Sequence, residues 1–560
     1  MPDGSSSNLR TGGQILVDCL RLHGVDTVFC VPGESYLATL DAFHDVHDKI
    51  ELVVCRQEGG VTNMADAWGK MTGKPGIAFV TRGPGATNAS VGIHTAHQDS
   101  TPLILFVGQI GRDMAEREAF QEVDYRRMFG EMTKWVAQID NPARIPEMVS
   151  RAFHVATSGR PGPVVLALPE DMQTERADAE NGQTYHTAQA NPGAADIDRF
   201  RDMLSGAKNP LVLAGGGGWT QDACDDLAAF TEANHLPVAV AFRRQDLMDN
   251  RHRNFAGVIG LGINPKLKDR LDATDLLIVL GSQLGEIVSG GYTYFTFPKP
   301  KQTMIHICAG VDELGKVYQA DLGINSGMAE FCAAARAMAP VDAPWEREAE
   351  TAHSDYIAFS TPPAMPGDVN YSEIVGWLSD NLPEDAVITN GAGNYTVWVH
   401  RFFRYKHYGT QLAPQSGAMG YGVPSGVAAG VCHRDRVVVS FSGDGCFQMN
   451  GQEIGTAVQH GAKTIFIVVN NGMYGTIRMH QETHYPKRKS GTDLVNPDFA
   501  ALARAYGAHG ETVTKTADFE VAFERCRAFD GPALIELVIE PDAVLPTNTL
   551  SGIQKAALEG

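Results

Sequence analysis

The chain has 560 residues, 43% hydrophobic and 20% charged, with 66 acidic against 46 basic side chains and a formal net charge of −20. That length is too great for one core and sets an expectation of about three to four domains. An acidic chain without a basic run is not expected to bind nucleic acid, although a locally positive site for an anionic substrate stays open.

The polar start, MPDGSSSNLRTGG, holds no apolar core segment, so no signal peptide is expected, and residues 1–10 read as frayed. No stretch reaches 18 uninterrupted apolar residues, which argues against a membrane span. Nine scattered cysteines without a CxxC pair read as reduced thiols, and the cytoplasm is the expected compartment. Residues 13–23 have helical spacing, with Ile15, Leu16, Cys19, Leu20 and Leu22 on the apolar side. Val28-Phe29-Cys30-Val31 is a short strand ending at Pro32-Gly33-Glu34, and 37–43 a helix. Residues 51–55 form a strand that stops just before Gln57-Glu58-Gly59-Gly60. A helix over 61–71, a strand over 76–81, the tight loop Gly83-Pro84-Gly85 and strands at 103–108 and 163–168 complete a first domain, 1–175.

Residues 176–195 are polar and aperiodic and read as a linker. A second domain, 196–340, has strands at 210–214, 276–281 and 303–307, a glycine run at 215–218 and a helix at 221–234. The stretch 341–368, acidic and then Pro-rich, reads as a second linker. A third domain, 369–545, opens with a helix at 371–382 and a strand at 386–389 that runs into Asn390-Gly391-Ala392-Gly393-Asn394. Residues 417–429 are glycine-rich and helical after Pro424, and 534–538 is the last strand. Strands alternating with helices predict an α/β chain of three doubly wound, parallel-sheet domains. The first and third share one rhythm, as if a single fold were used twice.

The densest signal lies in the third domain. The β-branched run 437–441 leads into Gly443-Asp444-Gly445. Helical spacing follows over 447–460, with Phe447, Ile454, Ala457 and Val458 apolar and Gly461 as the stop. A second strand, 464–469, ends in Asn470-Asn471. In a parallel β–loop–α–β unit both strands end on one edge, so Asp444 and Asn471 converge there. A carboxylate, an amide oxygen and a phosphate oxygen suit six-coordinate Mg²⁺, while glycine amides and a helix N-terminus favour an anion. Gly443-Asp444-Gly445 alone would also fit an ordinary turn; the spacing to the Asn pair carries the reading.

Gly443-Asp444-Gly445, positions 446–469 and Asn470-Asn471 resemble the motif of the thiamine-diphosphate enzymes. RQEGGVTNMADAWGKMTGKPG, which carries Glu58, looks like the corresponding segment of the acetolactate-synthase-like branch (acetohydroxyacid synthase large subunits). The resemblance spans nearly the whole chain. It implies thiamine diphosphate and Mg²⁺ as cofactors, with Asp444, Asn471 and the Met473 carbonyl holding the metal. Gly445, Cys446, Tyr474 and Gly475 would line the diphosphate, joined by Asn394 and Tyr395 from NGAGNY. In QSGAMGYGVP, the Gly417 carbonyl would accept from the 4′-amino group. Met419 would be the apolar wedge that bends the cofactor and brings that amino group to the reacting carbon. Glu58 would be the catalytic acid/base at the pyrimidine N1′. Gly33, Phe120 and Gln121 match the substrate-binding loops, although Phe120 fits a core position and Gln121 a surface position equally well.

By the same resemblance the first domain holds the pyrimidine and the third the diphosphate, on different subunits. A homodimer or homotetramer with active sites at the subunit interface is implied. The implied reaction is decarboxylation of a 2-ketoacid followed by carboligation. The decarboxylase branch carries an adjacent His pair that is missing here, and His94 and His97 read as structural. The alternatives are a 2-ketoacid decarboxylase or 2-hydroxyacyl lyase without carboligation, and a non-catalytic nucleotide-binding relative. Intact Glu58, Asp444 and Asn471 count against the last. Two departures stand out. The Arg-Phe-Asp-Asp element of the FAD-binding central domain is replaced by Gly281-Ser282-Gln283-Leu284-Gly285-Glu286, which puts FAD in doubt. Glu170 stands where those synthases usually have Lys.

Overall fold

The computed structural model describes residues 9–559, so most of the expected frayed start lies outside the described residues. From Leu9 the expectation is corrected. Leu9–Thr11 is a strand paired antiparallel with Arg176–Asp178, which takes its first residues from the expected linker.

Residues up to 188 form one compact unit. The six strands of its main sheet are all parallel, in the order Glu51–Val54, Thr27–Cys30, Gly76–Val80, Leu103–Gln109, Pro163–Pro169, Trp135–Gln138. The central strands are wholly buried, as expected of β-branched and apolar runs covered by helices on both faces. The expected helices appear as Gly12–Leu22, Leu37–His44 and Glu58–Thr72. Pro84–Asp99 is a helix that apolar periodicity did not reveal. Its buried face is made of Gly85, Ala86, Ala89, Gly92 and Ala96 with Ile93. Small residues let it lie so close to Glu58–Thr72 that a Cβ on Gly92 would fall 2.3 Å from Thr62 Oγ1.

The chain from 189 onward forms a second unit with two further parallel sheets. The central one runs Phe255–Ile259, Val238–Ala241, Pro210–Ala214, Leu276–Leu280, Thr303–Cys308, Leu322–Asn325. The other runs Gln411–Leu412, Val387–Asn390, Val438–Gly443, Thr464–Asn470, Ala533–Val538, His509–Val513. Counting core strands along the chain, the first and third sheets share the order 2-1-3-4-6-5, while the central one is 3-2-1-4-5-6. The shared rhythm is thus a shared topology. The expected second linker is corrected too. It contains the helix Glu346–Phe359, whose Ala349, Ala352 and Tyr356 are buried, with Tyr356 edge-on to Phe255. Its acidic, alternating sequence hides that apolar stripe.

All nine cysteines are free, eight buried and Cys432 half-buried. Among the described residues no helix is long and apolar enough to cross a membrane.

Candidate active site

In an open parallel sheet, ligands bind beyond the carboxyl ends where the strand order reverses. In the third sheet that point lies between Val387–Asn390 and Val438–Gly443. One cavity opens there, lined by the loops after both strands and by the loop after Thr464–Asn470. The parallel register sets Gly443 against Val469, so the strand ends that lead into Asp444 and Asn471 lie side by side. Asp444 is buried, 3% exposed, and burial raises its carboxyl pKa against the opposing hydrogen bond from Asn496. Its Oδ1 accepts from Gly445 N at 2.9 Å and its Oδ2 from Asn496 Nδ2 at 2.8 Å. Asn471 Oδ1 accepts from Met473 N at 3.3 Å, which folds the turn that brings both to the cavity wall. Helix Gly475–His484 follows.

The expected helix over 447–460 is corrected. A single turn, Asp444–Phe447, is followed by a 3₁₀ turn, Gly451–Glu453, and then helix Ile454–His460, stopped by left-handed Gly461 as expected. A Cβ on Gly451 would lie 2.6 Å from Phe447 Cε1, so the chain folds tightly back on that ring between the two pieces. One turn leaves little helix dipole at Asp444.

Asn394, Tyr395, Gly417, Met419, Gly445, Cys446, Tyr474 and Gly475 all line this cavity. Several do structural work as well. The Tyr395 hydroxyl accepts from Gly391 N at 3.0 Å and lies 3.4 Å from Cys446 Sγ, which itself accepts from Gly420 N at 3.2 Å. A phenol and a thiol thereby pin three cavity loops to one another. Asn394 is locked to the helix after Tyr474 by a reciprocal pair, its N–H to Thr476 Oγ1 and Thr476 Oγ1 to its Oδ1, each 2.9 Å. A Cβ on Gly445 would sit 2.5 Å from the Tyr474 ring, so only glycine lets this backbone face the cavity.

The amino-terminal unit presents a second cluster at its own reversal point, between Thr27–Cys30 and Gly76–Val80. Glu58 is half-buried at the first position of its helix, with Gln57 as the cap accepting from Gly59 N and Gly60 N at 2.5 and 3.2 Å. Asn88 Nδ2 donates to Glu58 Oε2 at 2.9 Å and leaves Oε1 toward the Gly83-Pro84-Gly85 loop. Gly33 packs so close to Thr81 that a Cβ would lie 2.4 Å from its Cβ. Gln121, at φ 66°, covers Gly83. The structure thus gathers Glu58, Gly33 and Gln121 around residues 81–85. Phe120 is 72% exposed, so the core alternative fails for it. Buried Arg82 donates to Glu170 Oε2 at 2.6 Å and lies 3.5 Å from Glu34 Oε1. His94 is exposed on its helix and His97 half-buried.

The oxygens around Asp444 fit a hard divalent cation, and the glycine-lined cavity fits a diphosphate beside it. The N-terminal TPP binding domain of thiamine pyrophosphate enzymes matches 10–128, the central domain 197–335 and the C-terminal TPP binding domain 391–537. The acetolactate synthase large subunit of Parasynechococcus marenigrum is 32% identical over 529 residues, covering 91% of this chain and 85% of that one. The chain belongs to the thiamine pyrophosphate enzyme family, in its acetolactate-synthase-like part. Two further relatives are each 30% identical. The isozyme 2 large subunit of acetolactate synthase from Escherichia coli aligns over 94% of this chain and 95% of its own, and the Lactococcus lactis large subunit over 96% and 94%. Within this thiamine pyrophosphate enzyme, Asn88, Thr476 and Asn496 touch the candidate residues but escaped the sequence reading. Each lies outside any spaced motif.

Proposed function

We propose that the chain uses thiamine diphosphate and Mg²⁺ to decarboxylate a 2-ketoacid and join the remaining acyl unit to a second carbonyl, as the names of its relatives suggest. The observation that carries this reading is the single cavity onto which Asp444, Asn471, Met473 and the glycine loops converge. Asp444 and Asn471 would hold the cation through side-chain oxygens and Met473 through its carbonyl. Gly445, Cys446, Tyr474, Gly475, Asn394 and Tyr395 would surround the diphosphate. When bound, thiamine diphosphate supplies a carbon that takes up the electrons released as CO₂ leaves. Glu58 would hold a proton at the pyrimidine N1′ and return it, with Asn88 fixing which carboxyl oxygen faces the ring. The Gly417 carbonyl would orient the 4′-amino group, and Met419 would wedge the two rings together. Gly33, Phe120 and Gln121 would border the substrate.

Following the family resemblance, the reading includes a homodimer or homotetramer whose sites take Glu58 from one copy and Asp444 from its partner. The cytoplasm is the proposed compartment, supported by nine free thiols. Flavin is not part of the proposal. At the central sheet's reversal point the Gly215–Gly218 and Gly281 loops touch, since a Cβ on Gly216 would lie 2.0 Å from Gly281 O. Trp219 is buried beneath them and donates to Gly215 O at 2.8 Å. This close packing supports the doubt that the missing Asp pair raises about flavin.

A second reading, a decarboxylase or lyase without carboligation, draws on Arg82. Two carboxylates already engage this cation beside the substrate loops, which leaves it poorly suited to a second substrate carboxylate. Incubation with pyruvate, thiamine diphosphate and Mg²⁺ separates the two. Formation of acetolactate supports carboligation, and acetaldehyde alone supports the second reading.

A further inference from the structure

Asn496 lies in the irregular segment between helices Gly475–His484 and Phe499–Ala505. Its Nδ2 donates to Asp444 Oδ2 at 2.8 Å and to Asn470 Oδ1 at 2.9 Å, one hydrogen for each. The orientation of this amide is fixed by chemistry. An ionised carboxylate only accepts, and the Asn470 amide nitrogen is committed to Glu536 Oε1 at 2.7 Å, which leaves its oxygen toward Asn496. Asn496 Oδ1 in turn accepts from Gln448 Nε2 at 2.9 Å. Glu536, 5% exposed, also accepts from Thr512 Oγ1 at 3.3 Å. A continuous hydrogen-bonded line therefore crosses the carboxyl edge of the third sheet. It starts on His509–Val513, passes Ala533–Val538 and Thr464–Asn470, and reaches Asp444 through Asn496.

We propose that Asn496 is the positioning residue of the cation and diphosphate site. It bridges the two strand-end loops that carry the candidate ligands, and it does so at the ligand carboxylate itself. With Gly445 N on Oδ1, the Asn496 bond to Oδ2 fixes the rotation of the Asp444 carboxylate, and Asn470 is held in the same grip. Asn471 follows Asn470 directly and Met473 lies three residues on in the same turn, so the clamp sets where their oxygens stand relative to Asp444 before any cation arrives. Preorganising ligands in this way raises affinity by lowering the ordering cost of binding. The inference rests on the reading of Asp444 as the cation's carboxylate.

The test uses the full-length protein, freed of cofactor, and calorimetric titration with Mg²⁺ in the presence of thiamine diphosphate. Asn496→Ala should weaken Mg²⁺ binding by about ten- to a hundredfold, the usual span for losing a hydrogen bond to a charged group. At saturating Mg²⁺ and cofactor, kcat should return to within a few-fold of wild type, because the clamp touches no reacting atom. A purely structural role would instead lower the melting temperature of the cofactor-free chain and leave the affinity of the folded fraction unchanged. If the alanine chain does not fold, Asn496→Ser carries the same test, since its hydroxyl is too short to span both oxygens. Mg²⁺ affinity within twofold of wild type in the folded variant overturns the proposal. Asp444→Ala run alongside separates the two levels. If it binds normally, the site reading fails; if it alone loses binding, only the role of Asn496 fails.

Discussion

At the scale of single residues, the proposed roles fall on Asp444 and Glu58, two carboxylates in different surroundings. Asp444 is buried among glycine amides and an Asn amide, where a carboxylate is tolerated because it is hydrogen-bonded and would be best satisfied by a cation. Asp444→Ala should therefore abolish thiamine-diphosphate binding at millimolar Mg²⁺, as read by calorimetry, and undiminished affinity would remove the metal assignment. Glu58 is half-buried, with one carboxyl oxygen toward the Gly83-Pro84-Gly85 loop and Asn88 on the other. Asn88→Ala frees that carboxyl without removing it. It should lower kcat by about tenfold, in keeping with the loss of one hydrogen bond to a charged group, while leaving cofactor affinity near wild type. An unchanged kcat would show that Asn88 does not orient Glu58.

At the scale of elements, close contact rather than apolar bulk sets the geometry around Glu58. The helices Glu58–Thr72 and Pro84–Asp99 carry Glu58 and Asn88, and Gly92 permits their approach. Gly92→Ala must push Thr62 aside, and overpacking of this kind destabilises by about 1–3 kcal/mol. Urea unfolding should show that loss together with reduced activity, and wild-type stability would mean that the helices are less tightly seated than the contact implies. This pair also shows where the sequence was legible. Strands such as 103–108 and 163–168 announced themselves because a parallel strand buried on both faces is a continuous apolar run. Asp444 and Asn471 were legible through fixed spacing within one β–α–β unit. Pro84–Asp99 was not, because glycine and alanine give no periodic signal, and Glu346–Phe359 was read as a linker because its charges mask three small apolar contacts. Asn88, Thr476 and Asn496 meet the site only through tertiary folding, and no local pattern marks them.

At the scale of the whole molecule, buried histidines tie stability to pH. Burial, with His154 nearby, lowers the His23 pKa from 6.5 to about 4, where its ring packs 4.5 Å from Phe153. Burial also lowers His306, and it lowers His400 well below the usual value with Arg243 adding to the effect. A folded-state value below the unfolded one means that the unfolded chain binds more protons in between. Stability from these groups is full above about pH 6.5, the unperturbed value, and drains away as the pH falls toward 4. The unfolding temperature should therefore be flat near neutrality and drop steadily through that window, with a shallower drop in His23→Phe; a flat profile to pH 4 would contradict it. The protein should also purify without stoichiometric flavin, and a yellow preparation with flavin absorbance would show the central crevice to be open to a dinucleotide. The central claim is that Glu58 is the acid/base of the proposed thiamine-diphosphate site. It is tested most directly by hydrogen–deuterium exchange at C2 of bound thiamine diphosphate, quenched and read by NMR, in wild type and Glu58→Gln. The account predicts normal cofactor binding in the Gln variant with exchange slowed by about two to four orders of magnitude, the usual share of general acid–base catalysis; exchange within a few-fold of wild type would contradict it.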